Sequence, residues 1–389
     1  MDRAALHRNN FDLIRLFAAA QVAYLHIVKN LGIELALFPE LLKSIFEIFP
    51  GVPIFFVTSG YLISASYRRN KDPRRYLIAR FLRIYPALWV CTGITLVAIL
   101  LLGNHPLLVS TSPDGLSIPI MKWLVSQLTI AQFYAPFSIR QAFGVGHPNG
   151  SLWTIPVELQ FYLLLPIVIV FIDRTIGFKG SSQRALIFFV ATSLVAGFYA
   201  WAREDIERWN ESIATIARVT VFPYLYMFAM GIVLQINWVR IQKVLRGKFL
   251  LWLAIYCAVA LLFWRVLDWS PNSNTPNLIT MSVLALTVLA AAYSKPNLSI
   301  SILRGNDISY GIYIYHMVIV NMAYELAFPP TMGVGMAVML VTALTALLSW
   351  FLIERPALGL KSRVRRSGDR GTVDARGAVV SRSQESSPS

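Results

Sequence analysis

Cysteine is scarce in this chain: Cys91 and Cys257 are the two among 389 residues. Both fall inside apolar runs, so no disulfide framework is expected and they read as packing residues. Charge is scarce as well, at 14% of residues against 56% hydrophobic, a balance that excludes an ordinary soluble chain of this length. Acidic residues are the rarer sign, 20 against 35 basic, which leaves a net charge of +15. No HxxxH, HExxH or CxxC spacing occurs among the histidines and cysteines, so no metal site is expected. No internal repeat is visible, because neither Arg15 and His26 nor the Phe55-Phe56 pair has a counterpart in the second half. That absence counts against transporter folds built from duplicated halves. Nor is a cleavable signal peptide expected, since the first apolar run already carries Asp12 and Arg15.

What is present is apolar length. The runs Leu13–Val28, Phe49–Ala65, Ala87–Leu102, Ser151–Ile172, Ala185–Trp201, Val219–Ile236, Phe249–Leu267, Leu278–Tyr293, Ile308–Ala327 and Gly333–Ile353 are separated by loops rich in Pro, Asn, Lys and Arg. Most approach the roughly 20 residues that cross a bilayer. The expected fold is therefore an all-α integral membrane bundle of about ten transmembrane helices. The basic charge invites a nucleic-acid reading, but its distribution argues for a membrane instead. With ten spans, most of the 35 basic residues gather on one side, in Arg3 and Arg8, the Arg68–Arg83 loop, later loops and the tail. The positive-inside rule makes that side cytoplasmic and places both termini inside, with no nucleic acid as partner. Residues 1–358 read as one transmembrane domain, and 359–389 as a basic disordered tail near anionic lipid. The external segment from Gly103 to Gly150, with five prolines and an apolar stretch at Ile118–Tyr134, reads as an interfacial lid.

An ionisable side chain within a span costs about 2.5–3.5 kcal/mol on insertion scales, so it is a functional candidate by default. Arg15 and His26 are eleven positions apart, which at about 100° per residue puts them on one helical face about 16 Å apart. Asp12 stands one turn from Arg15, the spacing of a charge pair. The rival reading has Arg15 snorkelling to the headgroups and His26 packing as a polar residue near the outer interface. Glu158 is expected about 10 Å below the outer end of its span and His26 about 7 Å below its own. Equal depth suggests that Glu158 orients the imidazole of a general base; the alternative is that Glu158 only satisfies a helix broken by Pro156. Arg80 and Arg83 share a helical face at the inner mouth, where guanidinium forks suit phosphate, although such a run also fixes topology on its own. Gly51, Phe55, Phe56, Ser59 and Gly60 place small residues where helices approach closely, and Ser59 as a nucleophile has no base near it in sequence. His316 is a second intramembrane histidine and the runner-up for catalysis or substrate binding. Trp153 and Tyr134 read either as platforms for a sugar ring or as interfacial anchors. His7, His105 and His147 fall in loops.

Taken together, these motifs resemble the membrane acyltransferase-3 family of bacterial envelope O-acyltransferases. Arg15-x10-His26, Gly51-x3-Phe55-Phe56-x2-Ser59-Gly60, Arg80-x2-Arg83, the Ser151-Leu-Trp to Glu158-Leu-Gln-Phe-Tyr stretch, Ile308 to His316 and Trp350 to Pro356 are similar to its ordered signatures. The resemblance covers residues 9 to 358. It implies ten helices, an acyl donor, usually acetyl-coenzyme A, bound from the cytoplasm as a substrate rather than a resident cofactor, and a carbohydrate hydroxyl as acceptor. Carried over by position, it implies His26 as the catalytic histidine, Arg15 as its motif partner and Arg80 and Arg83 as donor-phosphate contacts. Glu158 joins His26 and Arg15 as a catalytic candidate, while Trp153, Tyr134 and His316 are candidates for holding the acceptor. Two departures stand out: Pro156 replaces a Ser common in the family, and Leu159 replaces the second residue of a Glu-Glu pair. A fused external esterase-like domain, which some members carry, is not expected. Two rival functions remain open at this level, a proton-coupled transporter of a sugar-like or acidic solute using Arg15, His26 and Glu158 as a relay, and a catalytically dead envelope partner. Oligomeric state and the acceptor's identity have no signature in the chain.

Overall fold

Asp72 and Pro73 start the helix that brings the arginine loop to the bundle. The Asp72 side chain accepts from the Arg75 backbone N–H at 3.1 Å, and Pro73 occupies a first-turn position where its missing N–H is not needed. The structure, a computed structural model, describes residues 9–35, 37–104, 117–174, 180–268 and 274–360. Arg3, His7, Arg8, the part of the external segment around His105, and the tail from 361 lie outside the described residues.

The described residues are helical, with no strand among them. The chain runs through α1 (Phe11–Asn30), α2 (Leu37–Ile48), α3 (Gly51–Arg69), α4 (Pro73–Leu102), α5 (Ser117–Leu128), α6 (Thr154–Arg174) and α7 (Ser181–Trp209). It continues through α8 (Leu225–Ile236), α9 (Phe249–Arg265), α10 (Leu278–Tyr293), α11 (Ser309–Glu325) and α12 (Met332–Ser349). A short 3-10 turn, Gly150–Trp153, leads into α6, and a π-helical turn, Trp350–Glu354, continues α12. Every one of the apolar runs contains a helix, and six helical stretches are long and apolar enough to cross a membrane. A seventh is counted if the helix Trp238–Leu245 and α9, which meet at 89°, form one span. α8 and α10 are apolar but shorter, at 12 and 16 residues. The protein is thus a multi-pass membrane protein whose described residues form an all-helical bundle.

Backbone contact through small residues holds the centre together. A Cβ on Gly60 would fall on the Phe228 carbonyl, and one on Gly231 would fall on the Val57 carbonyl, so α3 and α8 cross with their backbones touching. Gly51 does the same for α3 and α1: its N–H donates to Gln21 Oε1 at 3.0 Å, while Gln21 Nε2 donates to the Phe46 carbonyl at 3.0 Å. Phe161 stacks on Phe228 at 3.9 Å and Phe56 lies 4.6 Å from the same ring, filling the space beside that crossing. α11 packs against α1, α4 and α12, and a Cβ on Gly311 would lie 2.9 Å from Ala346 of α12. α7 stays at the margin, with its side chains turned mostly away from the protein. This packing puts α1, α3, α4, α6 and α11 around one interior space.

Candidate active site

Two cavities occupy that space. The outer one, about 600 Å³, is lined by His26, Gln21, Lys29, Lys43, Trp153 and Asn274, among others. The inner one, about 110 Å³, is lined by Arg15, Arg80, Arg83, Ser59, Glu158 and Tyr162 with surrounding apolar residues. Val52 and Tyr313 line both. They form the wall between the cavities. Tyr313 is held there: its hydroxyl bonds Thr154 Oγ1 at 2.8 Å and donates to the Ser151 carbonyl at 3.0 Å, and its ring meets Phe55 edge-on at 5.6 Å.

Arg15 and His26, on one face of α1, therefore open into different cavities. Arg15 pairs with Asp12, as their spacing suggests, and also with Asp307 at 3.2 Å. Asp307 takes a second guanidinium, Arg83, at 2.5 Å, and its other oxygen accepts from Ser309 N–H at 3.2 Å and Ser309 Oγ at 2.5 Å. Burial alone would raise this carboxyl's pKa, but Arg15 and Arg83 hold it well below the usual carboxylate range. Sequence reasoning missed Asp307. Its one signal is position, directly before the Ile308–His316 motif in the loop expected on the same side as Arg80 and Arg83.

The two arginines of the Arg-x2-Arg element consequently differ. Arg83 is committed to Asp307, whereas Arg80 has no carboxylate partner among the described residues and lies 5.7 Å above the Tyr162 ring. Its Nε is buried without a hydrogen-bond partner. Such a group suits an incoming anion, because an unpaired buried donor is costly until a ligand accepts from it.

Glu158 stands in the inner cavity, not in the wall around His26. It accepts from Ser59 Oγ at 3.1 Å and from the Tyr162 hydroxyl. The ring beside His26 is instead His316: His26 Nδ1 and His316 Nε2 are 2.8 Å apart, and His316 Nδ1 is 3.1 Å from the Ile312 carbonyl oxygen. His316 is fully buried. Of the three acceptor-side candidates, Trp153 lines the outer cavity and packs 5.4 Å from Tyr224. Tyr134 is 43% exposed and lines neither cavity, and His316 lies behind His26. Phe55, Phe56 and Ser59 line the inner cavity, while Gly51 and Gly60 serve the helix contacts already described. No group of three or more metal-ligating side chains exists among the described residues.

Comparison with known proteins gives the family. Residues 8–354 match the family described as an acyltransferase domain. The chain is 33% identical over 368 residues to Nodulation protein 10 of Rhizobium leguminosarum bv. viciae, covering 92% of this chain and 95% of that protein. It is 26% identical over 382 residues to an O-acetyl transferase of Shigella phage Sf6, covering 90% and 96%. A third relative, O-acetyltransferase OatA of Staphylococcus aureus, is 27% identical over 337 residues, covering 79% of this chain and 52% of OatA. No solved structure matches.

Proposed function

The chain belongs to the acyltransferase-3 family and is a multi-pass membrane acyltransferase, and from that premise we propose that it moves an acetyl group from acetyl-coenzyme A to a hydroxyl of an envelope or secreted carbohydrate. The observation that carries this reading is the pair of cavities divided by Val52 and Tyr313, arginine-lined on one side and histidine-lined on the other. The donor's phosphates dock at the inner mouth, where Arg80 is the guanidinium free to receive them. Its thioester reaches past Tyr313 toward His26. Glu158, with Ser59 and Tyr162 as its hydrogen-bond donors, belongs to the donor side, and Arg15 shapes that side through Asp307. Trp153 offers a face for a sugar ring in the outer cavity.

The chemistry needs one base. His26 takes the proton from the acceptor hydroxyl as that oxygen attacks the thioester carbonyl carbon. The carbon–sulfur bond then breaks, and the departing thiolate recovers the proton from His26, leaving an ester and a free thiol. In this reading ten helices span the bacterial inner membrane, both termini are cytoplasmic and residues 1–358 form the catalytic domain. The test is NMR of envelope glycans from a deletion strain. An O-acetyl signal should vanish on deletion and return with the wild-type gene but not with His26→Ala; glycans unchanged by deletion would refute the reading.

A further inference from the structure

We infer that His316 is a positioning residue that fixes the tautomer of His26 and leaves His26 Nε2 as the basic nitrogen of the outer cavity; this rests on the proposed transfer reaction. The protons lie along one hydrogen-bonded line, from His26 through His316 to the Ile312 carbonyl. The Ile312 carbonyl can only accept, so the nitrogen 3.1 Å from it, His316 Nδ1, carries a hydrogen. His316 is fully buried, with no acidic partner among the described residues, and a buried unpaired imidazolium is disfavoured, so its ring is neutral. A neutral ring with its hydrogen on Nδ1 has a lone pair on Nε2. That lone pair faces His26 Nδ1 at 2.8 Å, which must therefore be the donor. His26 then has its hydrogen on Nδ1 and its lone pair on Nε2, in the ring that lines the outer cavity.

Two consequences follow for the reaction. One of the two tautomers open to a free imidazole is useless here, because an Nε2 that already carries a hydrogen has no lone pair to take the acceptor's proton. When Nε2 does take that proton, the imidazolium keeps donating from Nδ1 to a lone pair already aimed at it, so no partner has to turn. The role resembles that of a buried carboxylate behind a catalytic histidine, where loss of the correct tautomer lowers turnover by roughly 10⁴-fold. Here the backing group is neutral, and the carbonyl of Ile312, one turn earlier on α11, sets it in turn. The joint is tight, the ring centroids lying 5.1 Å apart with their planes inclined by 29°.

Three measurements on purified protein in proteoliposomes test this. Nitrogen-15 NMR of histidine-labelled protein, with His26→Ala used to assign the signal, should show the His26 hydrogen on Nδ1. His316→Leu should lower kcat by at least ~10²-fold with the KM for acetyl-coenzyme A unchanged, and His316→Gln, which can return an accepting oxygen, should recover most of that loss. A His26 hydrogen on Nε2 in the wild type would overturn the inference. So would His316→Leu turning over at the wild-type rate while His26→Ala is inactive. If His316→Leu fails to fold, the wild-type NMR signal and the Gln variant still decide. A wild type that transfers no acyl group would instead refute the reaction itself, while the NMR result would continue to test the tautomer.

Discussion

Arg80 and Arg83 are three residues apart and look equivalent in the sequence, yet their surroundings give them separate tasks. Arg80→Ala removes a donor with no carboxylate partner. It should raise the KM for acetyl-coenzyme A roughly 10- to 100-fold, as expected for a charge-assisted hydrogen bond of about 1.5–3 kcal/mol, with little change in thermal unfolding in detergent. Asp307→Asn breaks a buried pair shared by Arg15 and Arg83 and should cost about 3–5 kcal/mol of stability. Because the folded carboxyl titrates below the unfolded value of about 3.9, its contribution is complete above that value and is lost as pH falls through the folded one. The difference between Asp307→Asn and wild type should therefore be full at pH 7 and shrink only in strong acid. Glu158→Gln discriminates two placements: it should change the KM for the donor and leave the pH profile of kcat in place, whereas a carboxylate backing His26 would move that profile. The spacing of Arg15 and His26 on one face was legible in the sequence. The partner of His26 was not, because depth along two helix axes says nothing of which lateral faces meet, and His316 is 290 positions away.

At the scale of elements, the crossing of α3 and α8 fixes the position of α3, whose Phe55, Phe56 and Ser59 line the inner cavity. Gly231→Leu would place a side chain against the backbone of Val57 to Tyr61. Displacing α3 from α8 should both lower the unfolding temperature and abolish donor binding, measurable by thermal unfolding and by equilibrium binding of acetyl-coenzyme A; unaltered binding would mean that the cavity does not depend on this contact. That Gly51 and Gly60 mark close approach was readable from the chain. Their partners were not, because glycine signals room for a neighbour without naming it. Helix lengths were less legible. The apolar run from Val219 yields only the 12-residue α8, since the chain turns around Pro223 before the helix begins at Leu225.

For the whole molecule, the segregation of basic residues and the division of the interior into two cavities point the same way. The arginine-lined cavity belongs with the basic loop after α3, and the His26 cavity opens at the other end of α1. If the basic side is cytoplasmic, an alkaline phosphatase fused after residue 360 should be inactive and a cytoplasmic fluorescent reporter at the same point should fluoresce; the opposite pattern would reverse the proposed direction of transfer. In the proposed reaction one histidine in the outer cavity carries the proton for a transfer whose donor is held elsewhere. The most direct measurement compares wild type and His26→Ala in proteoliposomes, following both binding of acetyl-coenzyme A and movement of its radiolabelled acetyl group onto an envelope glycan. Donor binding should be equal in the two, and transfer by His26→Ala at least ~10²-fold slower. Transfer at the wild-type rate by His26→Ala, with donor binding intact, would contradict the proposed reaction.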